Sequence, residues 1–179
     1  VKQLNIYLSI FALLVLLSAC TPENDLNEAN AERSPVISET EAGDFTVRLV
    51  SERGYYKQDE QIRIGAQIKY TGDEEEIHIT HADSPFIFEI REVTRGIDIP
   101  AGAENDSGET TLIRETWHRE TYSKSMANNF EENEFLTEFY SHDGFPSGEY
   151  EIELNTEFYT ADEERQRHHY YTSIMIQVE

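Results

Sequence analysis

Gly148-Glu149-Tyr150-Glu151-Ile152-Glu153-Leu154-Asn155-Thr156-Glu157-Phe158 places apolar side chains at 150, 152, 154 and 158 and carboxylates at 149, 151, 153 and 157. A period of two is that of a strand, whose successive side chains leave on opposite faces. One face therefore meets a core and the other meets water, as in an antiparallel sheet covered on one side. The same alternation recurs on either side of this stretch. Ile174, Ile176 and Val178 point inward from a last strand. Upstream, Phe45, Val47 and Leu49 alternate with Thr46 and Arg48, and Ile62, Ile64, Ala66, Ile68 and Tyr70 alternate with Arg63, Gln67 and Lys69. Ile77 and Ile79 follow an acidic turn at 71–76, Phe86, Phe88 and Ile90 follow Ser84-Pro85, and a weaker strand covers 110–117.

Seven strands broken by Gly, Pro, Asn and Asp predict a mainly β fold over 44–179: an immunoglobulin-like antiparallel β-sandwich, with a small closed barrel as the alternative. A Cys–Trp–Cys pattern is missing, which excludes a true antibody-type domain. One stretch breaks the period. Asn129 is placed to cap a short inserted helix with Glu131 and Glu132 in its first turn and Phe135, Leu136, Phe139 and Tyr140 on its apolar face, stopped by Gly144 and Pro146.

The chain of 179 residues carries 14 Lys and Arg against 36 Asp and Glu, a net charge of −22. That balance excludes nucleic acid as a partner, because polyphosphate is repelled and no basic cluster exists to release its counterions. It equally excludes a polybasic hold on anionic lipid. A single cysteine permits neither an intramolecular disulfide nor a thiolate metal cage. Arg is preferred to Lys and Glu to Asp, a surface that stays charged and soluble in alkaline or salty surroundings.

Residues 1–19 read as an export signal: Lys2, then an apolar run broken only by Asn5 and Ser9, closing at Leu17-Ser18-Ala19 before Cys20. The run is roughly 16 residues, short of the ~20 a spanning helix needs. Leu17-Ser18-Ala19-Cys20 resembles the lipobox of bacterial lipoproteins. The resemblance implies that the Cys20 thiol carries diacylglycerol, that the chain is cut just before it, and that Cys20 is an anchor rather than a catalyst. Two acyl chains suffice for stable membrane residence, at about 0.8 kcal/mol per buried methylene. Residues 20–43 then read as the lipidated cysteine and a flexible tether, polar and with few large apolar groups, spanning about 25–30 Å as a coil.

Tyr56-Lys57-Gln58-Asp59-Glu60-Gln61-Ile62-Arg63-Ile64 with Tyr70-Thr71-Gly72-Asp73 resembles the early strands of bacterial immunoglobulin-like modules, and Phe145-Pro146-Ser147-Gly148-Glu149-Tyr150 resembles the turn into their penultimate strand. The layout is also similar to the intracellular proteinase inhibitor family, in which such a turn follows a Trp-containing strand; Trp117 is the residue for that position. The resemblance implies the fold, and an inhibitory activity only as an alternative, because this chain is acidic, carries an export signal, and is longer between Trp117 and Pro146.

Sites for chemistry are few. His78 and His81 lie three apart and point to opposite faces if the strand continues, so they cannot share a metal without a bend at Thr80, and the adjacent His168 and His169 also point apart. Neither Gly108 nor Gly144 fits the sixth position of an EF-hand loop, which leaves 73–76 and Asn105-Asp106 as the calcium-like loops, better read as turns. The nucleophile elbow, the His-Glu-x-x-His pair and the phosphate loops are missing. Tyr55, Tyr56, Tyr159, Tyr170 and Tyr171 form a possible aromatic binding surface. The expectation is a membrane-anchored, extracytoplasmic, non-catalytic binding or interaction domain, touching membrane lipid through Cys20 and an envelope protein through its sandwich, with no cofactor and no metal. An exported protease inhibitor using the 93–109 and 119–134 stretches, and a hydrolytic enzyme of the cell envelope, are the alternatives.

Overall fold

A computed structural model describes residues 34–100, 102, 106–125, 133–162 and 165–179. The alternating stretches fold as two β-sheets packed face to face, a β-sandwich with one short helix. The first sheet runs β1 (Val36–Ala42), β2 (Phe45–Ser51), β4 (Ile64–Tyr70) and β9 (Trp117–Thr121). The second is built on two long strands, β10 (Gly148–Thr160) and β11 (Arg167–Val178), paired antiparallel from end to end. The two-residue β3 (Tyr55–Tyr56) adds parallel to the end of β11. On the other side of β10 lie β5 (Glu76–His81) and β6 (Phe86–Glu92), which carry β8 (Gly108–Ile113) and β7 (Ile97–Ile99) respectively.

The inward residues are those the alternation marks. Val47, Leu49, Ile68, Ile79, Tyr150, Ile152, Leu154 and Phe158 are fully buried. At one end, Phe45, Phe158, Tyr170 and His168 form an aromatic cluster, with the imidazole stacked on Phe158 at 5.0 Å and 14°. At the other end, the helix α1 (Glu134–Ser141) turns Phe135, Leu136 and Phe139 onto the sandwich, and Phe139, Phe145 and Tyr150 pack ring on ring.

Four strands depart from the expected seven. β1 falls inside 20–43, the stretch read as tether, so the folded part begins earlier than residue 44. Its inward positions Ser38 and Thr40 are polar because they are stitched to β11: Thr172 Oγ1 donates to Ser38 Oγ at 2.6 Å and Thr40 Oγ1 to the Tyr171 carbonyl at 2.9 Å. β3 and β7 are too short to show a period. The stretch 110–117 is two strands in different sheets, because the chain turns at 114–116 with Glu115 in the left-handed region at φ 60°. The helix is capped by Asn133, whose Oδ1 accepts from the Phe135 amide at 2.8 Å. The expected cap Asn129 and the acids Glu131 and Glu132 lie outside the described residues.

Candidate functional site

The two seams of the sandwich are unlike. Along one, β1 and β11 are sewn together by the threonine hydrogen bonds just described. Along the other, the second sheet splits. Thr80 pairs with Tyr159 and Phe86 with Thr156, so the chain spends six residues where β10 spends three. The extra residues at Ala82–Pro85 let β5 veer off with β8, which turns the corner into β9 and closes that part of the seam. β6 stays on β10, and among the described residues no strand joins it to the end of β9.

The opening is a cleft of about 830 Å³. A hydrogen bond crosses the seam at each end. Ser84 Oγ donates to Glu120 Oε2 at 2.7 Å, and the Gly102 amide donates to the Ser125 carbonyl at 3.1 Å. Between them Phe88 and Tyr122 meet edge to face at 5.5 Å. Phe86 and Ile90 are 5% exposed, whereas Phe88 between them is only half-buried. Burial raises the Tyr122 phenol well above the usual range. Asp83, Glu89, Glu151 and Glu153 stand on the walls and rim, and Arg91 there is held by Asp98.

The edge of β6 facing this cleft is partnered by β7 along part of its length. Pro85 accepts from the Glu157 amide and the Val93 amide donates to Glu149, so the odd-numbered residues of β6 bond to β10. The even-numbered ones turn N–H and C=O to the other side. There Ile90 and Glu92 lie against β7, and the Phe86 amide is taken by Ser84 Oγ at 2.9 Å. Phe88 has no strand beside it among the described residues. β7 ends at Ile99, and the carbonyl of Pro100 just beyond it accepts from the Tyr140 phenol of the helix.

Ser84, Glu120 and His118 lie together, but in the wrong order for nucleophilic catalysis. His118 Nε2 is 3.2 Å from Glu120 Oε1, and the serine bonds to the carboxylate instead of the imidazole. The imidazole is not the partner of the Ser84 hydroxyl, as a Ser–His–Asp triad needs it to be. His118 and Ser84 together hold the Glu120 carboxyl below its ordinary value, which suits a structural clip.

This chain matches no protein-family model and no curated protein at a significant level.

The residues singled out from sequence scatter. Cys20 and its lipobox, Asn105, and parts of the 93–109 and 119–134 stretches lie outside the described residues. The five tyrosines form no common surface: Tyr56 and Tyr170 are buried, and Tyr55 and Tyr159 flank opposite ends of β11. His78 and His81 do point apart, bonding Thr111 and Thr110 on opposite faces of β8. His168 is in the aromatic cluster, where burial lowers its pKa, and His169 is exposed. Among the described residues no three His, Cys, Asp or Glu side chains converge as metal ligands do. Trp117 lies on the outer face of the first sheet with the Arg48 guanidinium 4.3 Å from its ring and Lys69 Nζ at 5.0 Å.

The cleft itself was missed. Its one trace in the sequence is Asp83-Ser84-Pro85, which interrupts two alternating runs and reads as an ordinary turn.

Proposed function

We propose that this chain is a bacterial lipoprotein, held on the extracytoplasmic face of the cell membrane by diacylglycerol at Cys20, whose sandwich is a non-catalytic immunoglobulin-like interaction module. The observation that carries the anchor is Leu17-Ser18-Ala19-Cys20 directly after a short apolar run. The cleft supports the binding role: the half-buried rings of Phe88 and Tyr122 meet in it, and Asp83, Glu89, Glu151 and Glu153 line its walls and rim. The order Ser84–Glu120–His118 favours binding over hydrolysis.

Cell fractionation and in-cell cross-linking of the full chain, with Cys20→Ser as the unanchored form, test the reading. The wild type sediments with membranes and cross-links to an envelope protein, and the variant is released and loses that partner. A wild type found wholly in the soluble fraction contradicts the anchor.

A further inference from the structure

Resting on the reading of the sandwich as an interaction module, we propose that the outer face of the second sheet is its docking surface, and that the occupant is a basic amphipathic helix of another protein. The register of β6, β10 and β11 lays this face out in rows. Ile87, Asn155 and Tyr171 form one row, Glu89, Glu153 and Ser173 the next, and Arg91, Glu151 and Met175 the third. Carboxylates therefore run along β10, with apolar side chains on the strands to either side.

Two observations distinguish this face from a solvated one. The first is its open apolar area. Of the six large apolar side chains left exposed among the described residues, Ile87, Tyr171 and Met175 stand in these rows, at 47%, 48% and 42% exposure. Apolar groups gathered on one face amid charges mark an interaction surface, and Tyr and Met are enriched at such surfaces. The second is unbalanced charge. Glu89 and Glu153 lie directly opposite each other, a like-charge pairing that weakens a sheet. Glu151 and Glu153 are half-buried, which costs a carboxylate part of its hydration. Among the described residues no cation pairs with these three carboxylates: Arg91, across from Glu151, pairs with Asp98, and Glu153 accepts from the Tyr171 phenol at 2.8 Å. On the outer face of the first sheet, by contrast, Arg48 is paired with Glu39 and Lys69 with Glu115. The complement of the second sheet's face is a row of lysine or arginine with apolar residues beside it.

The footprint suits a helix. From β6 across β10 to β11 is two strand spacings, roughly 10 Å, the width of one α-helix. From Asn155 to Glu151 is about 13 Å along the strand, or two to three helical turns.

The probe is an acetylated, amidated helical peptide of leucine and lysine, about 14 residues long, with its lysines in one stripe and leucines on both sides. It is titrated into the full chain while the methyl resonance of Met175 is followed. Binding is expected to saturate, to weaken with salt and to shift that resonance. Glu151→Gln with Glu153→Gln, which removes charge and keeps size, weakens binding about tenfold or more, and Tyr171→Ser weakens it several-fold. Glu74→Gln with Glu75→Gln, in the turn before β5, removes as much charge and leaves binding near wild type. Equal losses in the two double variants, wild-type binding by Tyr171→Ser, or equal binding of a peptide with the same residues in scrambled order overturns the proposal. So does saturation with the Met175 methyl unmoved, or no saturable binding by the folded wild type. Cys20→Ser binds the peptide as the wild type does, so a failed anchor and a failed face give different results. A full chain that cross-links to an envelope protein in cells but fails these tests keeps the interaction reading and loses this face.

Discussion

The Tyr150 phenol donates to the Pro146 carbonyl oxygen four residues upstream, at 2.6 Å and inside the core. This bond closes the turn that starts β10, and it explains the spacing of Pro146 and Tyr150. Gly148 between them has a different cause, since a Cβ there would lie 2.6 Å from Glu92 Oε1. Tyr150→Phe keeps the packed ring and leaves the buried carbonyl without its donor, at a cost of about 1–3 kcal/mol. Urea unfolding should show a lower midpoint with an unchanged slope, because the surface exposed on unfolding is the same.

Glu92 is the buried carboxylate that the turn after β6 is built around. It accepts from the amides of Thr94 at 3.2 Å and Arg95 at 2.6 Å and pairs with the Arg95 guanidinium. Burial alone would raise its pKa, but these donors outweigh burial and lower it. A carboxylate with a depressed pKa stabilises the fold above its unfolded pKa, and that contribution is lost as pH falls. Glu92→Gln should therefore be less stable than wild type at neutral pH, with the gap narrowing below about pH 4.5; denaturation curves at both pH values check it.

Lys124 ties the segment after β9 to the C-terminal end of the helix. Its ammonium donates to the carbonyls of Phe139, of His142 at 2.8 Å and of Gly144 at 2.6 Å, and stands 4.0 Å from the centre of the Phe139 ring. A cation there suits the helix dipole. Burial pulls its pKa down to about 8, opposed by Asp143. Since the unfolded chain holds that proton more tightly, wild-type stability should rise relative to Lys124→Met as pH climbs from about 8 toward the ordinary lysine range. Lys124→Met at neutral pH should melt at lower temperature, with the helix carbonyls left without their donor.

Trp117 reports on the face opposite to the cleft's walls. Its ring is flanked by Arg48 and Lys69, contacts worth about 0.5–1 kcal/mol when exposed. Trp117→Ala should cost little stability, read as a small fall in the urea midpoint.

The long strands were legible because each alternate residue of β10 is either core or solvent, with no functional residue breaking the pattern. β1 was not, because its inward side meets β11 through Ser38 and Thr40 hydroxyls, and a strand held by hydrogen bonds has no apolar period to show. Phe135, Leu136 and Phe139 mark the helix in the sequence, whereas Asn129 and Asn133 carry the same capping signal and only the structure shows that Asn133 caps it. The cleft depends on register, on how many residues separate Thr80 from Phe86 relative to their partners on β10, and pairing of that kind is written in no single stretch. Lys124 looks in sequence like any surface lysine; only the meeting of three carbonyls gives it a role.

Mass spectrometry of the amino-terminal peptide from the membrane fraction tests the central claim most directly. The account predicts a peptide that begins at Cys20 and carries a diacylglyceryl group on its sulfur, and that is lost in Cys20→Ser. A chain that retains the residues before Cys20, or one bearing a free thiol there, would contradict it.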